Sequence, residues 1–450
     1  MFRVAIIALA TVVTTTFAPR AIRAQAVSLE ALLNEADSAN PTIQAARAAA
    51  DAASARVPQA GAPPDPTLGI ALMNIPVADP SLSREMMTMT QVQLGTRLPW
   101  PSRLSISESV ASIRSQVADW ETRRIRDKVR YDVRAAYHEL YFVDQALEVT
   151  RRNHDLLRDL AELSSSQYSV GTGVQADVLR AQVELSRLTD QGVTLRERRV
   201  AGVARLNSLV GRPADVAMST VELPPEVHRI ARASQRADVG FSSATLGLEP
   251  TNRSGAENRV TPLPTLSELL LAARETSPRI GVHVRRVAAE EEALELARIA
   301  KLPDVNVSLS YAVRPGFADF LSFSVSAPIP IFAHRRQDQA VREQVAVVAE
   351  HRAALDVVAN EVEVELASLL SDLRRSLDQL TLLEEGILPQ ARTGLAAATA
   401  AYRVSDVDFS SVLDAQVTLF RQELEYHRLL ADFATTLAAL ERAVGMEVLR

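Results

Sequence analysis

The stretch Tyr168-Ser-Val-Gly-Thr-Gly-Val-Gln-Ala-Asp-Val-Leu-Arg-Ala-Gln-Val-Glu-Leu185 returns as Tyr402-Arg-Val-Ser-Asp-Val-Asp-Phe-Ser-Ser-Val-Leu-Asp-Ala-Gln-Val-Thr-Leu419. The spacing is constant. Val178, Leu179, Ala181, Gln182, Val183 and Leu185 meet Val412, Leu413, Ala415, Gln416, Val417 and Leu419 without a gap. The same register carries on to pair Ala204, Leu206, Val210 and Gly211 with Ala438, Leu440, Val444 and Gly445. A repeat of this length means one structural module used twice. The remainder of the chain is read by asking what one module contains.

Each module opens with a helical pattern, from about Ser28 to Val57 and from about Leu266 to Lys301. Both contain an internal proline, in Asn40-Pro41 and Ser277-Pro278. Proline is tolerated at a helix start and not in its interior, so each pattern predicts a short helix, a break and a longer helix. Strands follow. Val305, Val307, Leu309, Tyr311 and Val313 alternate with Asn306, Ser308, Ser310 and Ala312, and Leu321-Ser-Phe-Ser-Val-Ser-Ala327 repeats the alternation. In the first module Leu68, Ile70 and Leu72 alternate with small residues. Thr90, Val92, Leu94 and Leu98 alternate with Gln91, Gln93 and Arg97. A period of two marks a strand with one apolar and one polar face.

Very long helices come next. Ser102 to Val170 holds no glycine and no proline before Gly171, enough for roughly 100 Å of helix. Its apolar positions fall at threes and fours, the pattern of a packed bundle or coiled coil. The second module matches it from His334, but Gly386 and Pro389 interrupt, which predicts a kink that the first module lacks. Tight turns at Gly171-Thr-Gly173 and Ser405-Asp406 then send the chain back to Val210 and Val444. The predicted organisation is therefore a first repeat over 27–211, with a β-hairpin at 66–98 and a helical hairpin at 102–210. A Pro-, Ser-, Asn- and Gly-rich connection over 212–262, partly disordered, follows. The second repeat covers 263–446, with a β-hairpin at 303–330 and a helical hairpin at 334–445.

Residues 1–26 read as a secretory signal peptide: Arg3, an apolar run from Val4 to Phe17, and the small-x-small site Ala24-Gln25-Ala26. Its removal takes the formal charge from −6 to about −9. An acidic protein is poorly suited to nucleic acid. There is no cysteine among the 450 residues, which excludes disulfides, thiolate metal sites, thiol catalysis and an acylated N-terminal cysteine. No later stretch has the roughly 18–20 apolar residues of a transmembrane helix, so entry into a membrane would require β-structure. Four strands with an apolar face cannot close a barrel, because their two edges leave unpaired backbone groups in lipid. Sister subunits would have to supply the rest, two copies giving eight strands with a plugged interior and three giving twelve around a wet lumen. The same alternation fits a soluble sandwich with one wet face, and the pattern alone leaves both open.

The order helix, hairpin, long helix, tight turn, returning helix, twice over behind a signal peptide, resembles the TolC-type outer-membrane efflux protein family. The motifs that carry the resemblance are Asn40-Pro41, Leu98-Pro-Trp-Pro-Ser-Arg103, Tyr168-Ser-Val-Gly171 with Asp177-Val-Leu, and Tyr402 with Val412-Leu-Asp-Ala-Gln416. The Pro-Trp-Pro segment is most similar to the heavy-metal cation branch. The resemblance implies a mainly α-helical homotrimer with a helical tunnel in the periplasm and a twelve-stranded barrel in the outer membrane. It implies a passive exit duct and partners: a periplasmic adaptor touching the tips Val170, Gly171, Val404 and Ser405, and through it an inner-membrane pump. It places Asp414 at the gate acid, with Ser411 where a companion acid would stand. Asp177 and Tyr402 fall at links of the closed tip, and Tyr168 is a further candidate gate hydrogen-bonder. An outer-membrane duct for polypeptide secretion has the same architecture, and a soluble periplasmic coiled-coil adaptor or scaffold shares the helices.

Each residue also has an ordinary reading. Asp414 fits a solvated helix acid, and Tyr168 and Tyr402 fit turn packing. Met73, Met86, Met87 and Met89 are the one methionine concentration; thioethers suit Cu(I), and they also fill irregular space near loops. Trp100 suits a membrane-interface belt or simple packing. The seven histidines show no H-E-x-x-H spacing, no phosphate-binding loop is present, and no nucleophile triad stands out. No enzyme activity, metal or cofactor is expected.

Overall fold

The computed structural model describes residues 28–77, 80–81, 85–225, 227–229, 263–404 and 406–448. The signal-peptide reading and most of the 212–262 connection lie outside them. The elements run α1 (Leu29–Ala39), α2 (Pro41–Gly61), β1 (Thr67–Met73), β2 (Met89–Leu98), α3 (Pro101–Ser169) and α4 (Gln175–Leu209). The second set is α5 (Leu266–Thr276), α6 (Pro278–Ile299), β3 (Val305–Val313), β4 (Phe320–Ser326), α7 (Gln337–Thr381), α8 (Leu388–Arg403) and α9 (Phe409–Val444). Leu382–Ile387, between α7 and α8, is a π-helical turn.

The two internal prolines start new helices, as their chemistry requires. Asn40 caps α2 by accepting from Thr42 N at 2.8 Å and Ile43 N at 3.3 Å, while its Nδ2 donates to Leu209 O at 2.7 Å. That last bond ties the break to the end of the returning helix α4. The second module makes the same tie with a different side chain: Thr276 Oγ1 donates to Val444 O at 2.8 Å. Glycine completes both joints. Gly211 and Gly445 have φ of 78° and 90°, the left-handed region that closes a helix C-terminus. A Cβ on Gly211 would sit 2.9 Å from Ala39 O, and one on Gly445 would collide with Thr276 O.

The sheet is antiparallel in the order β1-β2-β3-β4. Its register aligns like with like. Leu68, Leu94, Leu309 and Phe323 form one row across the four strands, and Ile70, Val92, Tyr311 and Leu321 the next. On the opposite face the rows are Thr67, Gly95, Ser308, Ser324; then Gly69, Gln93, Ser310, Ser322; then Ala71, Gln91, Ala312, Phe320. The apolar rows are bare: Ile70 is 73% and Leu321 71% exposed. Among the described residues β1 and β4 each have one unpaired edge. No helix of the described residues is long and apolar enough to cross a membrane.

The helices pack into one main core and one small one. The main core joins Leu32, Leu33 and Ile43 to Val133, Tyr137 and Leu140 of α3, Leu206 of α4, Leu366 and Leu373 of α7 and Phe433 and Leu440 of α9. Residues 212–225 and 227–229, within the stretch expected as a connection, contribute Met218, Val221, Leu223 and Val227 to it. Asp144 pins them. One of its oxygens accepts from Arg199 Nε at 2.6 Å and the other from Val221 N at 2.9 Å. The small core lies at the far end of the helical hairpins and is built from Leu160, Ala181, Leu395, Tyr402, Phe409 and Val412. The interruption foreseen at Gly386 and Pro389 is the π turn. Pro389 has no N–H to give the α-helical ladder, and one extra residue in the turn absorbs the mismatch.

Candidate functional site: hairpin tips and sheet mouth

The chemistry-bearing residues gather at the two ends of the molecule. At the helical end, α3 stops where Thr172 N and Gly173 N both donate to Gln167 O, at 3.0 and 2.9 Å. The second module repeats the first of these bonds at the duplicated position, Asp406 N to Ala401 O at 3.0 Å. Gly171 takes φ of 81°, which explains a glycine there. A Cβ on Gly173 would stand 2.9 Å from Tyr168 N. The predicted tip residues Val170 and Val404 are bare to solvent; Ser405 lies outside the described residues.

The predicted gate residues separate into two sets. Tyr402 is buried against Phe409, ring centroids 5.5 Å apart and edge-on. Its hydroxyl has no partner among the described residues, and Gln167 Nε2 donates to its carbonyl at 3.5 Å. Tyr168, its counterpart in the first module, is exposed. The duplicated tyrosines thus occupy different environments. Asp414 and Ser411 are both exposed and lie one turn apart on α9. Asp177, in the first turn of α4, is 3.8 Å from Arg180 of the same helix. A carboxylate near a helix N-terminus is favoured by the helix dipole.

Between the two cores lies a polar layer. Gln416 of α9 donates Nε2 to Asn153 of α3, 3.3 Å from Oδ1, and both side chains are buried. Higher on the same pair of helices His138 Nδ1 meets Thr435 Oγ1 at 3.2 Å. Burial, assisted by Arg134, pushes His138 down to about 3. His427 meets Tyr141 Oη at 3.2 Å and is held near 4, chiefly by burial. These histidines are neutral at neutral pH and serve packing.

At the sheet end two features were not foreseen. Asp304, only 4% exposed, accepts from Arg97 Nε at 2.8 Å and from Arg103 Nη1 at 2.8 Å. This clamp fastens β2, β3 and the first turn of α3 where sheet meets helix. The Pro-Trp-Pro-Ser-Arg motif contained Arg103, but nothing in its spacing named an acid about two hundred residues away. At the opposite rim Arg314 lies 3.7 Å over the Phe320 ring. It donates Nε to Ala318 O at 2.7 Å and Nη1 to Met86 O at 3.4 Å. Met73 and Met89 are cross-strand partners at this rim, and Met86 and Met87 sit exposed in the adjoining loop. Trp100 is exposed just before α3. Among the described residues no group of three or more His, Cys, Asp or Glu is placed to hold a metal ion.

A sheet bare on its apolar face, polar on the other and open at both edges, carried on paired long helical hairpins, defines a membrane-duct subunit. The comparisons agree. The family model for outer membrane efflux proteins matches residues 32–212 and 269–446, one match per repeat. The chain belongs to that family, whose members are ducts of efflux systems in the outer membrane and not enzymes. It is 22% identical to the cobalt-zinc-cadmium resistance protein CzcC of Cupriavidus metallidurans, over 93% of this chain and 90% of that protein. Its fold is similar to the outer membrane protein VceC of Vibrio cholerae, with a TM-score of 0.72 at 17% identity, covering 93% of this chain and 96% of that one. It is also similar to CusC, with a TM-score of 0.73 at 14% identity, covering 93% and 92%. The fold class expected from the duplication is the one found, and a soluble scaffold is set aside.

Proposed function

We propose that three copies of this chain close a single twelve-stranded barrel in the outer membrane and that the duct exports heavy-metal cations handed over by an adaptor and an inner-membrane pump. One observation carries the assembly: the continuous bare apolar face of β1–β4 beside two unpaired edges. In lipid each unsatisfied backbone group costs several kcal/mol, so an open four-stranded sheet is untenable and closure by sister sheets removes the cost. Members of the family are trimeric channels that work with a periplasmic adaptor and an inner-membrane pump. The likeness to CzcC supports divalent metal cargo.

In this reading the exposed tips Val170, Gly171 and Val404 meet the adaptor's helices, together with Ser405 of the same turn. Three copies of Asp414 face one axis above the tips, with Ser411 leaving that ring singly charged. Tyr168, Tyr402 and Asp177 belong to the contacts that hold the tips shut. The leader over 1–26 is removed on export, and without a cysteine the mature chain carries no lipid there. The methionines of the β1–β2 hairpin pack the rim and bind no metal.

The test is purification in detergent followed by mass measurement and planar-bilayer recording. A trimer that conducts is expected; a stable, non-conducting monomer in the aqueous fraction overturns the assembly. The cargo is tested separately, by cobalt, zinc and cadmium tolerance of cells with and without the gene. Equal tolerance removes the metal reading and leaves the duct.

A further inference from the structure

We propose that Arg314 sets the ion preference of the duct at its loop end, where three copies form a positive ring at the rim of a lumen whose inward strand positions carry no carboxylate. The inference rests on the trimeric barrel proposed above. The register fixes which strand positions face inward. From β1 to β4 they are hydroxyl, amide, glycine, alanine, methionine and one phenylalanine, with no carboxylate anywhere among them. Arg97 is the one charged exception within the strands, and it sits at the helical end, where it shares the single carboxylate of Asp304 with Arg103. Arg314 continues the inward alternation from Ala312. Its guanidinium stacks on Phe320, which pairs with Ala312 on that same face.

The partners of Arg314 leave its charge in place. The guanidinium donates to the carbonyls of Ala318 and Met86 and touches a ring. Carbonyl oxygens and a π face orient a cation without cancelling its unit charge. The neighbouring acid, Asp319, accepts from the Arg314 backbone N at 3.2 Å and from the hydroxyl of Tyr311, a side chain of the apolar face; it feels the Arg314 charge but does not pair with its guanidinium. Among the described residues no carboxylate forms an ion pair with Arg314. The bond to Met86 reaches from the β3–β4 loop to the β1–β2 hairpin, so the charge is held at a fixed place on the rim. A fixed ring of like charge raises the local concentration of the opposite ion and lowers that of its own sign. The barrier to cations is the same in both directions, so net export past the ring rests on the higher concentration maintained on the inner side.

The experiment is the reversal potential of the purified channel under a potassium chloride gradient, comparing wild type with Arg314→Gln, Arg314→Glu and Arg314→Lys. Arg314→Gln should raise the potassium-to-chloride permeability ratio about twofold near 0.15 M salt, and more at low salt as screening weakens. Arg314→Glu should raise it further. Arg314→Lys should stay near wild type, which separates charge from the latch to Met86. Citrate added on the loop side should lower wild-type conductance, whereas a trivalent cation added there should not; this reading needs no variant to assemble. Unchanged permeability in conducting Gln and Glu channels, or block by the trivalent cation and not by citrate, overturns the proposal. A preparation that neither trimerises nor conducts instead overturns the duct on which it rests.

Discussion

Arg103 places its Nη1 2.8 Å from Asp304 Oδ1 and 2.9 Å from Oδ2, at the seam between the helical body and the sheet. Its other Nη donates to Leu302 O at 3.2 Å. A buried carboxylate that loses its partners, or partners that lose their carboxylate, cost more than the pair gains, because a desolvated charge is left over. Asp304→Ala is expected to destabilise the protein by about 2–3 kcal/mol, the low end for a buried pair because Arg97 and Arg103 keep access to water. Arg97→Ala should cost under about 1 kcal/mol, as its side chain is mostly exposed. Thermal melting of the detergent-purified protein measures both, and equal losses would show that the clamp does not centre on Asp304.

The duplicated glycines give a prediction in two parts. Gly211→Ala and Gly445→Ala both force a Cβ into the left-handed region, at about 1–2 kcal/mol. Space separates them. The new methyl meets one carbonyl in the first case, at 2.9 Å, but in the second it meets Thr276 O closer still and also Pro278 Cδ at 2.8 Å. Gly445→Ala should therefore lower the melting temperature more than Gly211→Ala. The reverse order would overturn the tighter packing of the Gly445 joint.

His138 predicts an acid-dependent crossing. Thr435 Oγ1 gives its one hydrogen to Ala431 O at 2.9 Å, so His138 must carry its proton on Nδ1 and donate to Thr435. Nε2 then faces no donor, and protonating it buries an unpaired cation. The folded group sits near 3 against an ordinary 6.5. Being depressed, it contributes stability that is complete above about pH 6.5 and is lost as pH falls toward 3, at up to about 1.4 kcal/mol per pH unit. Glu441, raised by burial against the pull of Arg134, works in the opposite direction. The diagnostic is therefore the difference between wild type and His138→Leu. The variant should be within about 1 kcal/mol of wild type at pH 7.5 and the more stable of the two at pH 4.5. Parallel curves would remove His138 from the acid response.

Much of this molecule is legible in the sequence because its rules are local. Pro41 and Pro278 each open a new helix at its first position, and the period of two in Val305–Val313 marks a strand with two unlike faces. The gapless match of Leu179 to Leu413 requires one module folded twice. What stays hidden depends on distant partners. Asp304 looks like a loop acid until Arg97 and Arg103 are folded against it. Met218, Val221 and Leu223 lie among Pro, Ser and Asp without helical or strand period, so their burial waits on Asp144 and Tyr137, whose hydroxyl donates to Glu222 O at 2.7 Å. Arg314 reads as a turn residue until the register shows which face it joins. The duplication also overstates symmetry. Tyr168 and Tyr402 align in sequence, yet one is exposed and one is buried.

The exposed acids of α9 give the sharpest test of the helical end. Asp414 stands free on the α9 surface, and Ser411 lies one turn before it on the same face, so a carboxylate at 411 would neighbour the one at 414. If three chains bring Asp414 around one axis, Asp414→Asn removes a ring of three negative charges and should lower the potassium-to-chloride permeability ratio of the assembled channel. Ser411→Asp doubles the ring and should raise it, and the two changes together should bring it back near wild type. This direction is opposite to that expected at Arg314, so charge removal at the two ends moves the reversal potential in opposite senses. A solvated surface acid, remote from any ion path, would leave all three ratios equal, and that result would take Asp414 and Ser411 out of the gate without touching the fold.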